Sequence, residues 1–150
     1  MMRALAVDPA GTWDTARRRG HVTLASDQRH RRRISMRADE GFEFLLDLVH
    51  AAHLRAGDGL ALEDGSYVEV RAADEPVMDI SCADPAHLAR VAWHVGNRHL
   101  AVQVLPGGSL RLADDYVIAE MAGMLGAKVE RKVGPFDPEP GAYAGAAHAH

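Results

Sequence analysis

At 150 residues, with 47% apolar and 25% charged side chains and a formal net charge of −4, the chain has room for one ordinary domain or two small ones. Its acidic balance argues against nucleic acid as the main partner. No apolar run approaches the roughly 20 residues a membrane helix needs, and Arg3, Asp8 and Pro9 break any secretory leader pattern. A cytoplasmic protein without a membrane partner is therefore expected. Cys82 is the only cysteine, which excludes an internal disulfide and a cysteine-based zinc knuckle. Nine histidines leave imidazole and carboxylate as the ligands available to a transition metal.

The first half reads as β-structure. His21–Leu24 alternates briefly, and Asp27-Gln28 is a turn. In Arg29–Arg37, Ile34 and Met36 can face inward while Arg33, Ser35 and Arg37 face water. Asp39-Glu40-Gly41 is a second turn. Phe42–His50 is apolar enough for a buried strand, although Phe44–Val49 also passes for a helical turn. Asp58-Gly59 and Asp64-Gly65 are turn signals around Leu60–Leu62, and Tyr67–Val70 alternates. Short strands separated by glycine turns predict a small sandwich or barrel.

The pattern changes around Ala72–Pro76, where a linker is expected. Val77–Ser81 is a strand. Asp84-Pro85 supplies a helix cap followed by proline at the first helical position. Leu88, Val91, Ala92 and Val95 form one apolar stripe, and Gly96-Asn97 is the stop signal. Ala101–Leu105 and Leu110–Leu112 read as strands across a Pro106-Gly107-Gly108 turn. In the second helix Asp114 is the cap, Ile118, Met121, Ala122 and Leu125 the stripe, and Gly126 the stop. Lys128–Lys132 is a last strand. The sum is an α+β chain. A small all-β domain (1–74) precedes a βαββαβ domain of ferredoxin-like order (75–134). A flexible segment rich in Pro, Gly and Ala (135–150) follows.

Three places draw a chemical reading. His94 and His99 bracket the end of the first helix. His94 is also what the helix dipole favours there, and His99 is equally an ordinary loop residue. One histidine cannot hold a transition metal. On a two-fold axis each residue appears twice, so a metal reading requires a dimer. His148 and His150 form the second place, since two imidazoles near a chain end can wrap Ni, Cu or Zn, unless they are chance. Asp114-Asp115-Tyr116 is the third, with helix capping as the plain alternative. The Arg29–Arg37 stretch is either a solvated edge strand that discourages aggregation or a basic face for an acidic partner. His50 and His53 flank Ala51-Ala52 at an expected loop, and Cys82 reads as a small hydrophobe. No Ser-His-Asp order, phosphate loop or carboxylate pair stands out.

Taken together, these segments resemble a known family. Trp93-His94-Val95-Gly96-Asn97-Arg98-His99-Leu100-Ala101-Val102-Gln103 closely resembles the signature of the urease accessory protein E family, the nickel metallochaperones of urease. So do Asp115–Ile118, Gly123–Ala127 and Pro135–Tyr143. Asp27–Arg37, Gly57-Asp58-Gly59 and Val70-Arg71-Ala72 match more loosely, so the similarity spans nearly the whole chain. It departs at Ala101, where proline is common. It departs again at Asp114 and Tyr116, where some members carry histidine, and over Phe42–His53. The terminal segment is short and has only two histidines.

The resemblance implies an N-terminal partner-binding domain and a ferredoxin-like domain that forms a homodimer. Ni(II) would be bridged by His99 of both chains and completed by His148 or His150, with Asp114, Tyr116 and His94 as secondary candidates. Zn(II) and Cu(II) are further cargo candidates. The implied partners are the urease accessory GTPase, its assembly complex and apo-urease, with no catalytic residue in the chain itself. The reading from another class is a protein-binding adaptor whose histidines are incidental. A metal-dependent hydrolase comes third, disfavoured because no sequence-local carboxylate–histidine cluster appears.

Overall fold

The computed structural model describes residues 1–141, which divide into two compact units, Met1–Ala73 and Asp74–Gly141. The first is all β: β1 (Met2–Asp8), β2 (Arg18–Leu24), β3 (His30–Arg37), β4 (Glu43–His53), β5 (Gly59–Leu62) and β6 (Tyr67–Ala72). They form one sheet in the order β2-β6-β5-β1-β4-β3. The β1–β4 and β2–β6 pairs are parallel, and the others are antiparallel. Ala4, Val22, Met36, Phe44, Leu60 and Val68, one from each strand, share a single core. The sheet must therefore roll so that both edge strands meet one interior.

The turn after β3 closes that roll. Asp39 donates its N–H to the His21 carbonyl at 2.7 Å and accepts the Thr23 hydroxyl at 2.6 Å. Glu40 accepts the His21 N–H at 2.8 Å and lies 2.9 Å from its Nδ1. The His21 ring, aided by the His21 backbone N–H, holds the Glu40 carboxyl down at about 2. Gly59 is required by packing: a Cβ there would lie 2.7 Å from the Trp13 ring. Burial along β4 alternates at Phe44, Leu46 and Leu48, which decides for strand over helical turn. The strand runs on to His53, so His50 and His53 lie within it, and the expected loop is corrected.

Two further expectations change. β1 has no counterpart in the sequence reading, because a register shift between Ala4 and Ala6 breaks its alternation. Asp74-Glu75-Pro76, expected as a linker, begins a strand and pairs with Val133–Pro135.

The second unit runs β7 (Asp74–Ser81), α1 (Pro85–Asn97), β8 (Gln103–Val104), β9 (Leu110–Ala113), α2 (Tyr116–Met124) and β10 (Lys128–Pro135). Its sheet has the order β10-β7-β9-β8, with every pair antiparallel. Met78, Ile80, Leu110 and Leu112 pack with Val91, Val95, Ile118 and Ala122 in one core, so the helices cover one face. Cys82 packs against this core, and burial pushes its thiol pKa up.

Both helices start from an aspartate. Asp84 accepts the His87 N–H at 2.8 Å. Asp115 accepts the Ile118 N–H at 3.1 Å, so the cap of α2 is Asp115, not Asp114. Asp114 is committed elsewhere, its carboxylate to Arg131 at 3.0 Å and its N–H to the Pro76 carbonyl at 3.1 Å. α1 ends at Asn97, within the expected Gly96-Asn97 stop, with Arg98 as its cap. His87 ties the two helices together. Its Nδ1 accepts the Ala83 N–H at 3.1 Å, so Nε2 carries the proton and donates to the Leu125 carbonyl at 2.7 Å.

On the strand side opposite Met78 and Ile80, Asp79 is gripped by Arg111 at 2.8 and 3.0 Å and by Lys132 at 3.0 Å. The Arg111 hydrogen bonds hold its carboxyl below the usual range, against the opposing effect of burial. Residues 136–139 are built onto this unit, so the segment expected to be unstructured from residue 135 is ordered over these first residues. Arg111 donates to the Pro135 carbonyl at 2.8 Å, and Phe136 is only 2% exposed. Gln103 Oε1 accepts the Asp137 N–H at 2.9 Å, and the Val102 carbonyl accepts the Glu139 N–H at 2.7 Å.

Candidate metal centre

The end of α1 carries two of the three described histidines of the second unit, His94 and His99. Val91 and Val95 are fully buried and fix the helix's inner face, while Leu100 packs against the same core just beyond. The residues between those anchors turn outward. His94 is half-buried with its ring edge-on to Trp93 at 5.0 Å, and Arg98 and His99 are exposed. The chain leaves the helix through His99, whose φ is +56 and whose N–H donates to the Gly96 carbonyl at 3.0 Å. It is the only non-glycine residue with positive φ among the described residues. That conformation disfavours an L-residue, although histidine is among those enriched in it. The sequence pointed to His99 but placed the left-handed residue at Gly96-Asn97. No local signal could have moved it.

Between the end of α1 and α2 lies a groove of about 430 Å3 lined by His94, Arg98, Val117, Glu120, Met121 and Met124. Val117 is 62% exposed, Met124 82% and the adjacent Trp93 64%. So many large apolar side chains left in water on one small unit mark an interaction surface. Sequence reading assigned Met121 to the core stripe and gave Val117 and Met124 no role.

The remaining candidates are placed as follows. Asp114 is held by Arg131 at 3.0 Å, whose guanidinium also sits 5.8 Å from the Tyr116 ring centroid. That pair engages one carboxylate oxygen, Oδ1, and draws Asp114 toward β10. His148 and His150 lie outside the described residues. Among the described residues, no group of three or more His, Cys, Asp or Glu converges to hold an ion. His99 is thus exposed at the helix end, and the described residues bring no set of such side chains together around it. His87, which drew no attention in the sequence, has both ring nitrogens committed to the backbone.

Comparison with known proteins joins the two units. The model of the UreE urease accessory protein N-terminal domain matches residues 2–73, and that of its C-terminal domain matches residues 75–150. The urease accessory protein UreE of Bradyrhizobium sp. (strain ORS 278) is 51% identical over 150 residues, covering all of this chain and 70% of the relative. UreE of Rhodopseudomonas palustris (strain BisB18) is 51% identical over 144 residues, 96% of this chain and 67% of the relative. UreE of Beijerinckia indica is 47% identical over 150 residues, all of this chain and 86% of the relative. With both domain models matched in order and about half the residues shared along the whole chain, the protein belongs to the UreE family of urease accessory proteins, which are accessory chaperones and not enzymes.

Proposed function

We propose that the chain is a cytoplasmic, homodimeric metallochaperone that carries Ni(II) to apo-urease and docks on the accessory GTPase of the urease assembly complex. The observation that carries this reading is His99, an imidazole exposed at a helix end in a backbone conformation usually left to glycine. A non-glycine residue at positive φ is uncommon and motivates a functional reading of that residue. A single imidazole does not hold a transition ion, so the reading needs a second copy, and a two-fold interface supplies one. The groove beside His94 and Arg98, with Val117 and Met124 exposed, supports that interface. Burying it would add apolar area to a unit too small to have a large core of its own.

The second unit is read as a ferredoxin-like domain, on the strength of its element order and its antiparallel sheet covered on one face by two helices. Two His99 side chains would share nickel, with His148 or His150 adding ligands. His94, Asp114 and Tyr116 are secondary. Neutral imidazole also suits Zn(II) and Cu(II). Delivery would proceed by ligand exchange, with imidazoles leaving one at a time. Protons compete with metal for histidine, so nickel affinity is expected to fall below about pH 6. A titration at pH 7.5 and pH 5.5 reads this directly.

The central test is a nickel titration of the full chain and His99→Ala, paired with sedimentation at several protein concentrations. The expected result is at least a roughly tenfold loss of affinity in the variant, about 1.4 kcal/mol, with an unchanged melting temperature. In the wild-type chain nickel should tighten dimerisation by mass action. The arginines of β3, four of its eight residues, favour a protein-binding adaptor as the second reading. A wild-type chain that binds no nickel above background would leave that reading standing alone.

A further inference from the structure

The segment after β10 takes a route that neither the sheet nor its helices require. β10 and β8 are the two edges of the four-stranded sheet, three strand spacings or about 14 Å apart. The chain leaves β10 at Pro135 and is caught by Arg111 of β9, then by Gln103 of β8. It finishes with the Glu139 N–H on the Val102 carbonyl at 2.7 Å. The Glu139 carboxylate in turn accepts the Val104 N–H at 3.3 Å. Arg111 is itself fixed by two hydrogen bonds to the buried Asp79.

The destination is what matters. Val102 is three residues from His99, so the two Cα atoms are at most about 11 Å apart. At Glu139 the described chain therefore lies at the edge that carries the His99 loop, the opposite sheet edge from β10. Nine residues separate Glu139 from His148, a span of at most about 32 Å, so His148 can return to His99 from this root. Without the contacts to β8 the tether would start at Pro135, thirteen residues away and held only by Arg111 of β9. The effective concentration of a tethered group falls roughly as the −3/2 power of tether length. Lengthening from nine to thirteen costs nearly a factor of two, and the displaced origin costs more.

We propose that Pro135–Glu139 is a strap that roots the terminal His148/His150 segment beside the His99 loop, with Gln103, Arg111 and Glu139 as its positioning residues. The proposal rests on the nickel reading above and adds to it a reason for the segment's attachment. The strap touches no metal. It sets how readily the terminal ligands find one.

The test uses the full-length chain carrying Gln103→Ala with Glu139→Ala, which removes both side-chain acceptors. Arg111 is left in place because its loss would strand the buried Asp79 carboxylate. Hydrogen exchange reads the strap itself: the Asp137 and Glu139 amides should be protected in the wild type and open in the double variant. Nickel titration reads its role, with an expected loss of roughly threefold or more in affinity. The same two substitutions in a chain ending at Gly141 should change nickel affinity by less than that. The exchanged pair Gln103→Glu with Glu139→Gln keeps both acceptors and the net charge, and should restore wild-type binding.

Amides that are open in the wild type, or still protected in the variant, would overturn the strap. So would open amides with full-length affinity unchanged, or an equal loss in the shortened chain. If the chain ending at Gly141 binds nickel as tightly as the full chain, the terminal ligands themselves fail and the positioning role falls with them. That outcome is separate from the exchange result.

Discussion

Helices α1 and α2 begin in the same way, with an aspartate carboxylate accepting the third helical N–H, but they are left through different residues. α2 ends in a Schellman arrangement: Gly126, at φ +84, donates to the Gly123 carbonyl, and Ala127 donates to the Ala122 carbonyl, both at 3.0 Å. α1 makes the first of those bonds, from His99 to the Gly96 carbonyl at 3.0 Å, with a histidine where glycine is the usual residue. One unit thus contains the relaxed solution and the strained one side by side. An L-residue in the left-handed region costs about 1–2 kcal/mol. Glycine there avoids that cost but loses about 0.5–1 kcal/mol through the entropy of the unfolded chain. The difference teaches that α2 is left through the residue type that suits the left-handed region, whereas α1 is left through an L-residue whose imidazole stands at the helix end.

That comparison can be broken most directly at the metal. His99→Ala and His99→Gly should lose nickel affinity to the same degree, roughly tenfold or more, because each removes the imidazole whatever it does to the backbone. Gly126→Ala should leave nickel affinity unchanged. A variant of Gly126 that loses nickel as His99→Ala does would show that affinity follows helix-end geometry and not the ligand.

The next effect is on stability. An alanine at 126 would place its Cβ 3.7 Å from His87 Nε2, an ordinary contact, so its cost is the backbone alone. Gly126→Ala should destabilise by about 1 kcal/mol net of the entropy gained, read as a lower denaturant midpoint with an unchanged slope. A neutral substitution would mean that the helix end rearranges without loss, and the contrast with His99 would lose its reference.

Much of this unit is legible in the sequence because the signals are local. Asp84-Pro85 caps α1, the Leu88–Val95 stripe buries it, and Gly126 stops α2. What was not legible depends on partners distant in the chain. Asp114 and Asp115 are equally good caps by type. The choice falls to Asp115 because Arg131 and the Pro76 carbonyl take Asp114. β1 gave no signal because its alternation is interrupted at a register shift. The strap residues Gln103 and Glu139 are unremarkable in sequence and gain meaning only when β8 and the chain after β10 meet. In the candidate site, His99 could be singled out from its surroundings and its resemblance. Its left-handed backbone and the exposed Val117 and Met124 beside the groove needed the fold.

The smallest effect bears most directly on the contrast between the two helix ends. His99→Gly should relieve about 1–2 kcal/mol of left-handed strain and give back about 0.5–1 kcal/mol to the unfolded chain. The net is a gain of between about 0 and 1.5 kcal/mol in apo stability, toward the lower end because histidine tolerates this region better than most L-residues. His99→Ala keeps the strain and should sit at or just below wild type. The two variants therefore lose the same ligand but should separate in stability, glycine above alanine by up to about 1 kcal/mol. Apo protein is needed for the measurement, since bound nickel would stabilise the wild type by mass action and mask so small a difference. If glycine and alanine melt together, the positive φ at 99 stores no energy, and His99 occupies its position without cost. If glycine is the more stable, this helix end retains a histidine against the local backbone preference, as the proposed nickel role for His99 expects.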